Sequence, residues 1–245
     1  FFMQMPEVDL YVVGEGERTF GNVVNQFVDC RLDRDELRGQ DLDNCLIRRP
    51  DGTIEIQHGS LAGRMKDLDE VPSPYLNGLM DEFFGRQLYP MIETNRGCPF
   101  TCTFCHEGLD YYKKIGRFSL ERVFRDLNYI AARSKASDTL FIADSNFGMF
   151  KQDGEISEFV GGLQRETGWP KFINCTTGKN NPEMVIKAVD TLNGAMVITN
   201  AVQSMSEDVL TNIKRSNIKM SAYEQMQDAI RKRGLKSMAD MILCL

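Results

Sequence analysis

"MIETNRGCPFTCTFC", residues 91–105, joins a short strand-like run to three closely spaced cysteines. Residues 91–95 form the strand candidate, and Cys98, Cys102 and Cys105 follow on the loop at its carboxyl end. In a sheet of parallel strands, this is the end at which ligands and catalytic groups gather. The stretch therefore predicts both the first strand of such a sheet and the position of its chemistry.

Further strand candidates follow this stretch, and they alternate with segments of helical periodicity. Every gap between them is long enough for a helical crossover. The candidates are residues 91–95, 139–143, 171–175, 195–199 and 238–243. This order predicts an α/β fold with a parallel sheet, closed or partly closed into a barrel.

The helices between the strands carry recognisable end signals. Ser119 is a predicted cap before an apolar face that runs from Leu120 to Ile130. Asn181 and Pro182 have the pattern of a cap followed by proline at the first helical position. Ser221 and Glu224 have capping-box spacing, and Gly234 is the predicted end of that helix.

The first ninety residues lack the regular alternation of strand and helix candidates that follows residue 91. An apolar run, Val8 to Val13, is followed by a glycine turn and a helical pattern that contains Phe20, Val23, Val24 and Phe27. Residues 45–59 predict a hairpin about Pro50-Asp51-Gly52, and residues 61–90 a linker with one short helix near 79–84. We expect the pairing partners of the first strand to lie outside the chain, and the whole chain to be an internal fragment.

Composition narrows the class of function. The chain has 245 residues, a formal charge of −6 and no Lys/Arg-rich run, so nucleic acid is not an expected partner. No apolar stretch approaches the roughly 20 residues that a membrane-spanning helix needs, and no signal-peptide pattern is present. We expect a cytoplasmic protein that acts on a small molecule.

The cysteines indicate a metal cluster. Seven cysteines are unevenly spaced, and in a reducing compartment clustered cysteines are more often metal ligands than disulfides. The CxxxCxxC spacing lets three thiolates converge, with Gly97 and Pro99 bending the backbone. Because no fourth cysteine is local, a four-iron cube would keep one iron for a non-protein ligand. The remaining cysteines are predicted to be small buried hydrophobes: Cys30, Cys45, Cys175 and Cys244.

A zinc site is the alternative. It would use Cys98, Cys102, Cys105 and His106, but adjacent Cys105 and His106 would have difficulty reaching the same tetrahedral ion. Structural zinc sites also tend to use two separate ligand pairs. Iron–sulfur is favoured for this reason. The other histidine, His58, follows the predicted hairpin and is expected at the surface.

The cysteine motif, with Phe104 before its last cysteine and a βα barrel pattern after it, resembles the radical S-adenosylmethionine superfamily. The resemblance implies a (βα)6-type barrel of which strands 1 to 5 are present. It implies that Cys98, Cys102 and Cys105 hold a four-iron four-sulfur cluster, whose open iron binds S-adenosylmethionine. In that family an electron from the cluster, supplied by a reductant such as flavodoxin or ferredoxin, produces methionine and a 5′-deoxyadenosyl radical that takes hydrogen from substrate.

The resemblance also implies residues that bind S-adenosylmethionine, beginning with Phe104 beside the cluster. Asp144 and Asn146 stand where the family often has Gly-Gly-Glu, which receives the methionine amino group. Gln203 and Ser204 stand where the family often has Gly-x-Glu-Ser: Gln203 replaces the Glu and would hold the ribose or the methionine carboxylate, and Ser204 is the serine of that motif.

Each of these candidates has an alternative. Asp144 would equally serve as a cap for the following loop. By the same resemblance Arg215 would hold the ribose or the carboxylate, and the alternative is a solvated helix end beside Lys214. Further substrate contacts are possible from residues that a polar βα loop or a buried strand end would also explain: Thr176, Thr177, Lys179, His106, Cys175 and Cys244.

The N-terminal part resembles a subgroup of the same superfamily. "PEVDLYVVGEGERTF" at 6–20 and "VPSPYL" at 71–76 are similar to the junction between a cobalamin-binding Rossmann-like domain and the barrel. The resemblance implies a remnant of that domain at 1–30, a linker with a hairpin at 31–90 and a truncated catalytic core at 91–245. It implies cobalamin in the full-length protein, with methyl transfer or ring formation as the reaction. The competing hypothesis is a non-catalytic iron–sulfur or zinc module in electron transfer or assembly.

Overall fold

A computed structural model describes residues 2–57, 64–178, 181–199, 201–215 and 220–243. The predictions for His58, Lys179 and Cys244 therefore lie outside the described residues. The chain divides into two compact units, Phe1–Lys66 and Asp67–Leu245. No helix of the described ranges is long and apolar enough to cross a membrane.

The first unit contains a three-stranded antiparallel sheet. Its elements are β1 (Leu10–Val12), α1 (Glu17–Asp29), α2 (Arg34–Arg38), β2 (Cys45–Arg48) and β3 (Ile54–Gln57), and the strand order is β1-β2-β3. The predicted hairpin is confirmed as β2 and β3, and Gly52 supplies the positive φ of 86° that its turn requires. The expectation that the first strand has no partner in the chain is wrong, because β1 pairs with β2.

Burial explains this pairing. Cys45 and Ile47 alternate inward along β2 and are completely buried, so the strand needs an apolar neighbour on that face. Leu10 and Val12 of β1 pack against the resulting core, which also contains Val23, Cys30, Leu37 and Leu42. Cys30 and Cys45 are thus buried hydrophobes, as predicted. The predicted apolar face of α1 is only partly buried, since Phe20 and Val24 are exposed.

The second unit has parallel strands linked by helices. Its strands are β4 (Met91–Ile92), β5 (Asn95–Arg96), β6 (Gly116–Arg117), β7 (Thr139–Phe147), β8 (Phe172–Thr177), β9 (Ile198–Thr199) and β10 (Ser237–Met238). Its helices are α3 (Leu120–Arg133), α4 (Lys151–Thr167), α5 (Pro182–Thr191), α6 (Glu207–Asn212) and α7 (Met220–Lys232). The predicted helix near 79–84 is a single 3-10 turn, Asp81–Phe83.

Parallel pairing follows the order of the chain. β4 pairs with β7, β7 with β8, and β9 with β10, while a parallel bridge from Ile173 to Met196 joins β8 to the segment before β9. The α/β class with a parallel sheet is therefore confirmed. Closure of this sheet into part of a barrel, and the division of the chain at residues 30 and 90, remain predictions.

The strand ends differ from the sequence pattern in two places. The first predicted strand is split: β4 ends at Ile92, and β5 pairs antiparallel with β6 beyond the cysteine loop. Of the last two predicted strands, residues 195–199 contribute two residues to β9, and residues 238–243 contribute only Met238 to β10. A further parallel bridge joins Gln203 to Met241.

The predicted helix ends are correct in part. The Ser119 side chain accepts a hydrogen bond from the N–H of Arg122 at 3.1 Å, which confirms this cap. Asn181 precedes Pro182 as predicted, but it adopts a left-handed conformation and its side chain does not cap the helix. The Ser221 cap is wrong, since α7 already includes Met220. Gly234, with φ 66°, follows the end of that helix.

Candidate functional site

The cysteine loop runs from β5 to β6. Gly97 is the first residue of the loop and has a φ of 116°, a backbone conformation that residues other than glycine rarely adopt. The N–H of Cys98 donates to the carbonyl of Tyr112 at 2.9 Å, which closes the loop on itself. The N–H of Thr103 donates to the carbonyl of Ile213 at 3.0 Å, which ties the loop to the segment after α6. The loop is therefore held by partners close to it and far from it in sequence.

The three cysteines of the loop are reduced and differ in burial. Cys102 is 5 % exposed, Cys98 is half-buried and Cys105 is exposed. Cys102 and Cys105 line a cavity of about 420 Å³, to which Lys113 and Lys214 also contribute. Thiols of this kind, free of disulfides, are suitable ligands for iron.

The donor set fits an iron–sulfur cluster in type, but it does not form a site for a single metal ion; in a cluster each cysteine binds a different iron, so the sulfurs need not converge on one point. Within the described ranges, no three side chains of His, Cys, Asp or Glu are arranged so that they could hold a metal ion. The sulfurs of Cys98 and Cys102 are instead contacted by N–H donors from other parts of the fold. The assignment of these cysteines as ligands thus depends on their chemistry, spacing and position.

Asp144 lies at the centre of a buried hydrogen-bond network below the loop. Its Oδ1 accepts from the N–H of Thr94 at 2.7 Å and of Asn95 at 3.2 Å. Its Oδ2 accepts from the Thr94 hydroxyl and, at 2.7 Å, from the Asn95 side-chain amide. The carboxylate connects β7 to the backbone that leads into the cysteine loop. One of the two predictions for Asp144 was that it caps the loop that follows it. Its hydrogen bonds go to Thr94 and Asn95 instead, so that prediction is wrong.

The charge state of Asp144 reflects this burial. Asp144 is 2 % exposed, and desolvation raises its pKa to about 7, although the hydrogen bonds from the hydroxyl and N–H of Thr94 and from the N–H of Asn95 oppose the shift. Burial also raises the pKa of Asp153, at the start of α4, to about 6. Burial raises the pKa of the Cys175 thiol on β8 to about 12, with Asp144 contributing in the same direction. The carboxyl ends of these strands are therefore poorly hydrated.

Asn146 and Arg215 both reach the cysteine loop. The side-chain amide of Asn146 donates to Cys98 Sγ at 3.3 Å. Arg215 Nη1 donates to Cys102 Sγ at 3.8 Å, and Nη2 donates to the carbonyl of Ala201. Arg215 is 6 % exposed, so the alternative of a solvated helix end is wrong.

Gln203 and Ser204 lie on the segment after β9. Gln203 has a φ of 63°, unusual for a residue other than glycine, while its N–H donates to Asp240 and its carbonyl accepts from Ile242. Its Oε1 atom is buried and has no hydrogen-bond partner within the part of the chain that the structure describes. A buried acceptor in this state is available to a ligand hydroxyl. The Ser204 hydroxyl accepts from the N–H of Ser206.

Two predicted site residues of the cysteine loop, Phe104 and His106, are not part of the buried network around Asp144. Phe104 is 38 % exposed. The Nε2 atom of His106 lies 2.8 Å from the hydroxyl of Tyr112, and the two rings are 5.1 Å apart. His106 is therefore engaged by Tyr112, and the zinc alternative that uses it receives no support from the geometry.

The two threonines at the end of β8 differ in burial. Thr177 is buried, donates to the carbonyl of Thr199 at 2.8 Å and accepts from its N–H at 2.9 Å, so it joins the ends of β8 and β9. Thr176 is exposed, as alternation along a strand requires. Cys175 is half-buried.

The sequence did not identify Thr94 and Asn95 as part of the site. Their signal was present as two polar residues in a predicted strand that must be buried, and such groups need hydrogen-bond partners. The partner, Asp144, is fifty residues away, so the pairing itself had no local signal.

Comparisons with known proteins agree with the resemblance. No family model matches the chain. The chain is 31 % identical over its whole length to 2-(S-pantetheinyl)-carbapenam-3-carboxylate methyltransferase of Streptantibioticus cattleyicolor. It is 32 % identical, also over its whole length, to the cobalamin-dependent radical SAM methyltransferase TokK of Streptomyces tokunonensis. The chain spans about a third, 36 %, of the length of each of these relatives.

Solved structures show the same fold. The cobalamin-dependent S-adenosylmethionine radical enzyme OxsB, with aqua-cobalamin and S-adenosylmethionine bound, superposes on 99 % of the chain with a TM-score of 0.68 at 17 % identity. The radical S-adenosylmethionine methyltransferase TsrM from Kitasatospora setae, with cobalamin and a [4Fe-4S] cluster bound, covers 97 % of the chain with a TM-score of 0.66 at 13 % identity. The chain covers 34 % and 47 % of these structures. Over its whole length, the chain is thus similar in sequence to about a third of two methyltransferases, one of them named as a cobalamin-dependent radical SAM enzyme, and similar in fold to the two solved structures.

Proposed function

We propose that this chain is part of the catalytic core of an enzyme that cleaves S-adenosylmethionine reductively and transfers a methyl group to a small molecule. The observation that carries the proposal is the position of three free thiols on the loop from β5 to β6, just after the carboxyl end of the parallel strand β4, in a chain similar to a radical S-adenosylmethionine methyltransferase. Polar groups from the ends of β7 and from the segment after α6 contact that loop.

In this proposal Cys98, Cys102 and Cys105 hold a four-iron four-sulfur cluster. The cluster would supply the electron that breaks a carbon–sulfur bond of S-adenosylmethionine, and an external reductant such as flavodoxin or ferredoxin would restore it. The parallel strands of residues 91–238 would form part of a (βα)6-type barrel around the bound cofactor.

The protein's own groups would bind and shield the cofactor. Gln203 presents a buried amide oxygen that has no hydrogen-bond partner among the described residues, and this oxygen is suited to accept a hydrogen bond from a ribose hydroxyl. The buried strand ends beside Asp144 and Thr177 exclude water, and this protects a reactive intermediate from side reactions. The carboxylate of Asp144 already accepts four hydrogen bonds from Thr94 and Asn95. Asp144 is therefore not proposed as the acceptor of the methionine amino group.

Cobalamin would bind elsewhere in the full-length protein. The name of one relative, TokK, and the cobalamin bound in the superposed OxsB and TsrM structures support its use. The part of residues 1–66 that the structure describes contains an antiparallel sheet with α1 and α2 and none of the parallel βαβ pairing of a Rossmann-like domain. A contribution of residues 1–30 to cobalamin binding therefore depends on chain outside this unit.

A non-catalytic cluster or zinc module is the second candidate. It is favoured by one observation: the carboxylate of Asp144, which the resemblance assigns to S-adenosylmethionine, is already hydrogen-bonded by Thr94 and Asn95. It predicts a metal site that is indifferent to S-adenosylmethionine.

The two candidates separate in one experiment. The full-length protein is reconstituted anaerobically with iron and sulfide, and the EPR spectrum of the reduced cluster is recorded with and without S-adenosylmethionine. We expect a four-iron signal that changes when S-adenosylmethionine binds, and that is lost in the Cys98→Ala, Cys102→Ala, Cys105→Ala variant. Zinc in place of iron, or a signal that S-adenosylmethionine leaves unchanged, would refute the catalytic proposal.

A further inference from the structure

Two cysteine sulfurs are contacted by N–H donors that come from different parts of the fold. Asn146, near the end of β7, donates to Cys98 Sγ, and Arg215, three residues beyond α6, donates to Cys102 Sγ. Both donors are buried, with exposures of 3 % and 6 %. Cys105, the third cysteine, is exposed. The loop therefore has one solvated sulfur and two that face fixed protein donors.

Each donor is held by contacts that do not involve the cysteines. Asn146 lies two residues after Asp144, whose carboxylate connects β7 to Thr94 and Asn95. Arg215 donates its other terminal nitrogen to the carbonyl of Ala201, and its backbone N–H donates to Leu210. Donors held in this way cost little reorganisation when the charge on the sulfurs changes.

We propose that Asn146 and Arg215 are positioning residues that set the reduction potential of the cluster held by Cys98, Cys102 and Cys105. This inference rests on the proposed function. Hydrogen bonds to ligand sulfurs stabilise the additional negative charge of the reduced cluster and so raise its potential. The roles differ from the S-adenosylmethionine contacts that the family resemblance implies for these two residues. They act on the cluster before any S-adenosylmethionine binds.

Matched variants separate a sulfur contact from a general effect of charge. Arg215→Gln and Lys214→Gln each remove one positive charge from adjacent residues that lie beside the same loop, but only Arg215 contacts a sulfur. Asn146→Leu removes a neutral donor at similar volume, and Ser145→Ala is its neighbouring control. Asn146→Ser is a smaller replacement that removes the same contact.

The measurement is an EPR-monitored redox titration of the reconstituted full-length protein without S-adenosylmethionine. We expect Arg215→Gln, Asn146→Leu and Asn146→Ser to lower the equilibrium constant for reduction about tenfold each, which is about 59 mV for a one-electron couple. We expect Lys214→Gln and Ser145→Ala to shift it less than about threefold, because exposed charges are screened.

The outcomes distinguish this inference from the proposed function. Wild-type potentials in all variants would overturn the inference while the proposed function stands. Equal shifts in Arg215→Gln and Lys214→Gln would also overturn the role of Arg215, since charge alone would explain them. A wild-type protein that assembles no four-iron cluster would refute the proposed function itself.

Discussion

The carboxylate of Asp144 accepts hydrogen bonds from both the backbone and the hydroxyl of Thr94, fifty residues earlier in the chain. Asn95 adds two further donors to the same carboxylate. This network fixes the backbone three residues before Cys98, at the point where the strand gives way to the cysteine loop. A buried acid thus determines where the loop begins.

Replacing Asp144 by Asn is expected to change how stability depends on pH. Burial raises the pKa of Asp144 from an ordinary value of 3.8 to about 7, so the folded state binds a proton that the unfolded state has released. The contribution of this group is complete below about pH 4 and is lost as the pH rises to about 7, with a slope of up to about 1.4 kcal/mol per pH unit. Asp144→Asn removes this slope.

Urea denaturation of the wild type and of Asp144→Asn between pH 5 and pH 8 measures the effect. Asp153, whose pKa burial raises to about 6, contributes in the same direction but is present in both proteins, so it cancels in the difference. Parallel curves for the two proteins would show that the four donors keep Asp144 ionised throughout, contrary to this prediction.

Gly108→Ala is expected to disrupt the cysteine loop. A Cβ at Gly108 would lie 2.1 Å from the carbonyl oxygen of Cys102 and 2.9 Å from its carbonyl carbon, so the backbone of the loop would have to move. We expect a loss of at least about 2 kcal/mol in the free energy of unfolding, as for other overpacked sites. Iron bound per chain after reconstitution should also fall.

Gly154→Ala is the matched control for this change. It lies within α4, where an added Cβ meets no atom within 4 Å. Since alanine favours a helix interior over glycine, we expect a gain of roughly 0.5–1 kcal/mol and normal iron content. Equal iron content in Gly108→Ala and Gly154→Ala would contradict the close contact between Gly108 and Cys102.

Arg38→Met is expected to destabilise the first unit. The guanidinium donates to the carbonyls of Arg48 and Arg49, both at 2.5 Å, and pairs with Asp35 at 2.9 Å, while its side chain is only 10 % exposed. Methionine keeps much of the volume but removes one donor from each of two carbonyl groups at the end of β2, of which the Arg49 carbonyl keeps the N–H of Gly52. We expect a loss of about 2–3 kcal/mol in the free energy of unfolding.

Arg34→Met provides the comparison. Arg34 forms an ion pair with Asp9 at 2.8 Å, but its side chain is 60 % exposed, so we expect a change below about 1 kcal/mol. Chemical denaturation of the full-length protein, followed by a probe in residues 1–66, measures both variants. If both substitutions lowered the free energy of unfolding equally, the buried hydrogen bonds of Arg38 would stabilise the fold no more than the exposed ion pair of Arg34, which would contradict this prediction.

Several features of the fold could be predicted because their signals are local. The turn at Gly52, the cap at Ser119 and the helix end at Gly234 each depend on residues within one turn of the backbone. The parallel strands were predictable in order, since strand and helix periodicities alternate along the chain. The exact ends of the strands were not predictable, because the length of β4 and β9 depends on how many of their residues pair with the neighbouring strand, which is two in each case.

The sequence by itself determined the class of fold and predicted where the candidate site lies: a strand, a CxxxCxxC loop after it, and crossover helices further along the chain. Tertiary structure decided which residues act together. The pairs Thr94–Asp144, Cys98–Asn146 and Cys102–Arg215 are separated by 50, 48 and 113 positions. No local propensity encodes contacts at such distances, since they form only when burial brings different strand ends to one place. The same reason explains why β1 has a partner that its own surroundings in sequence did not predict.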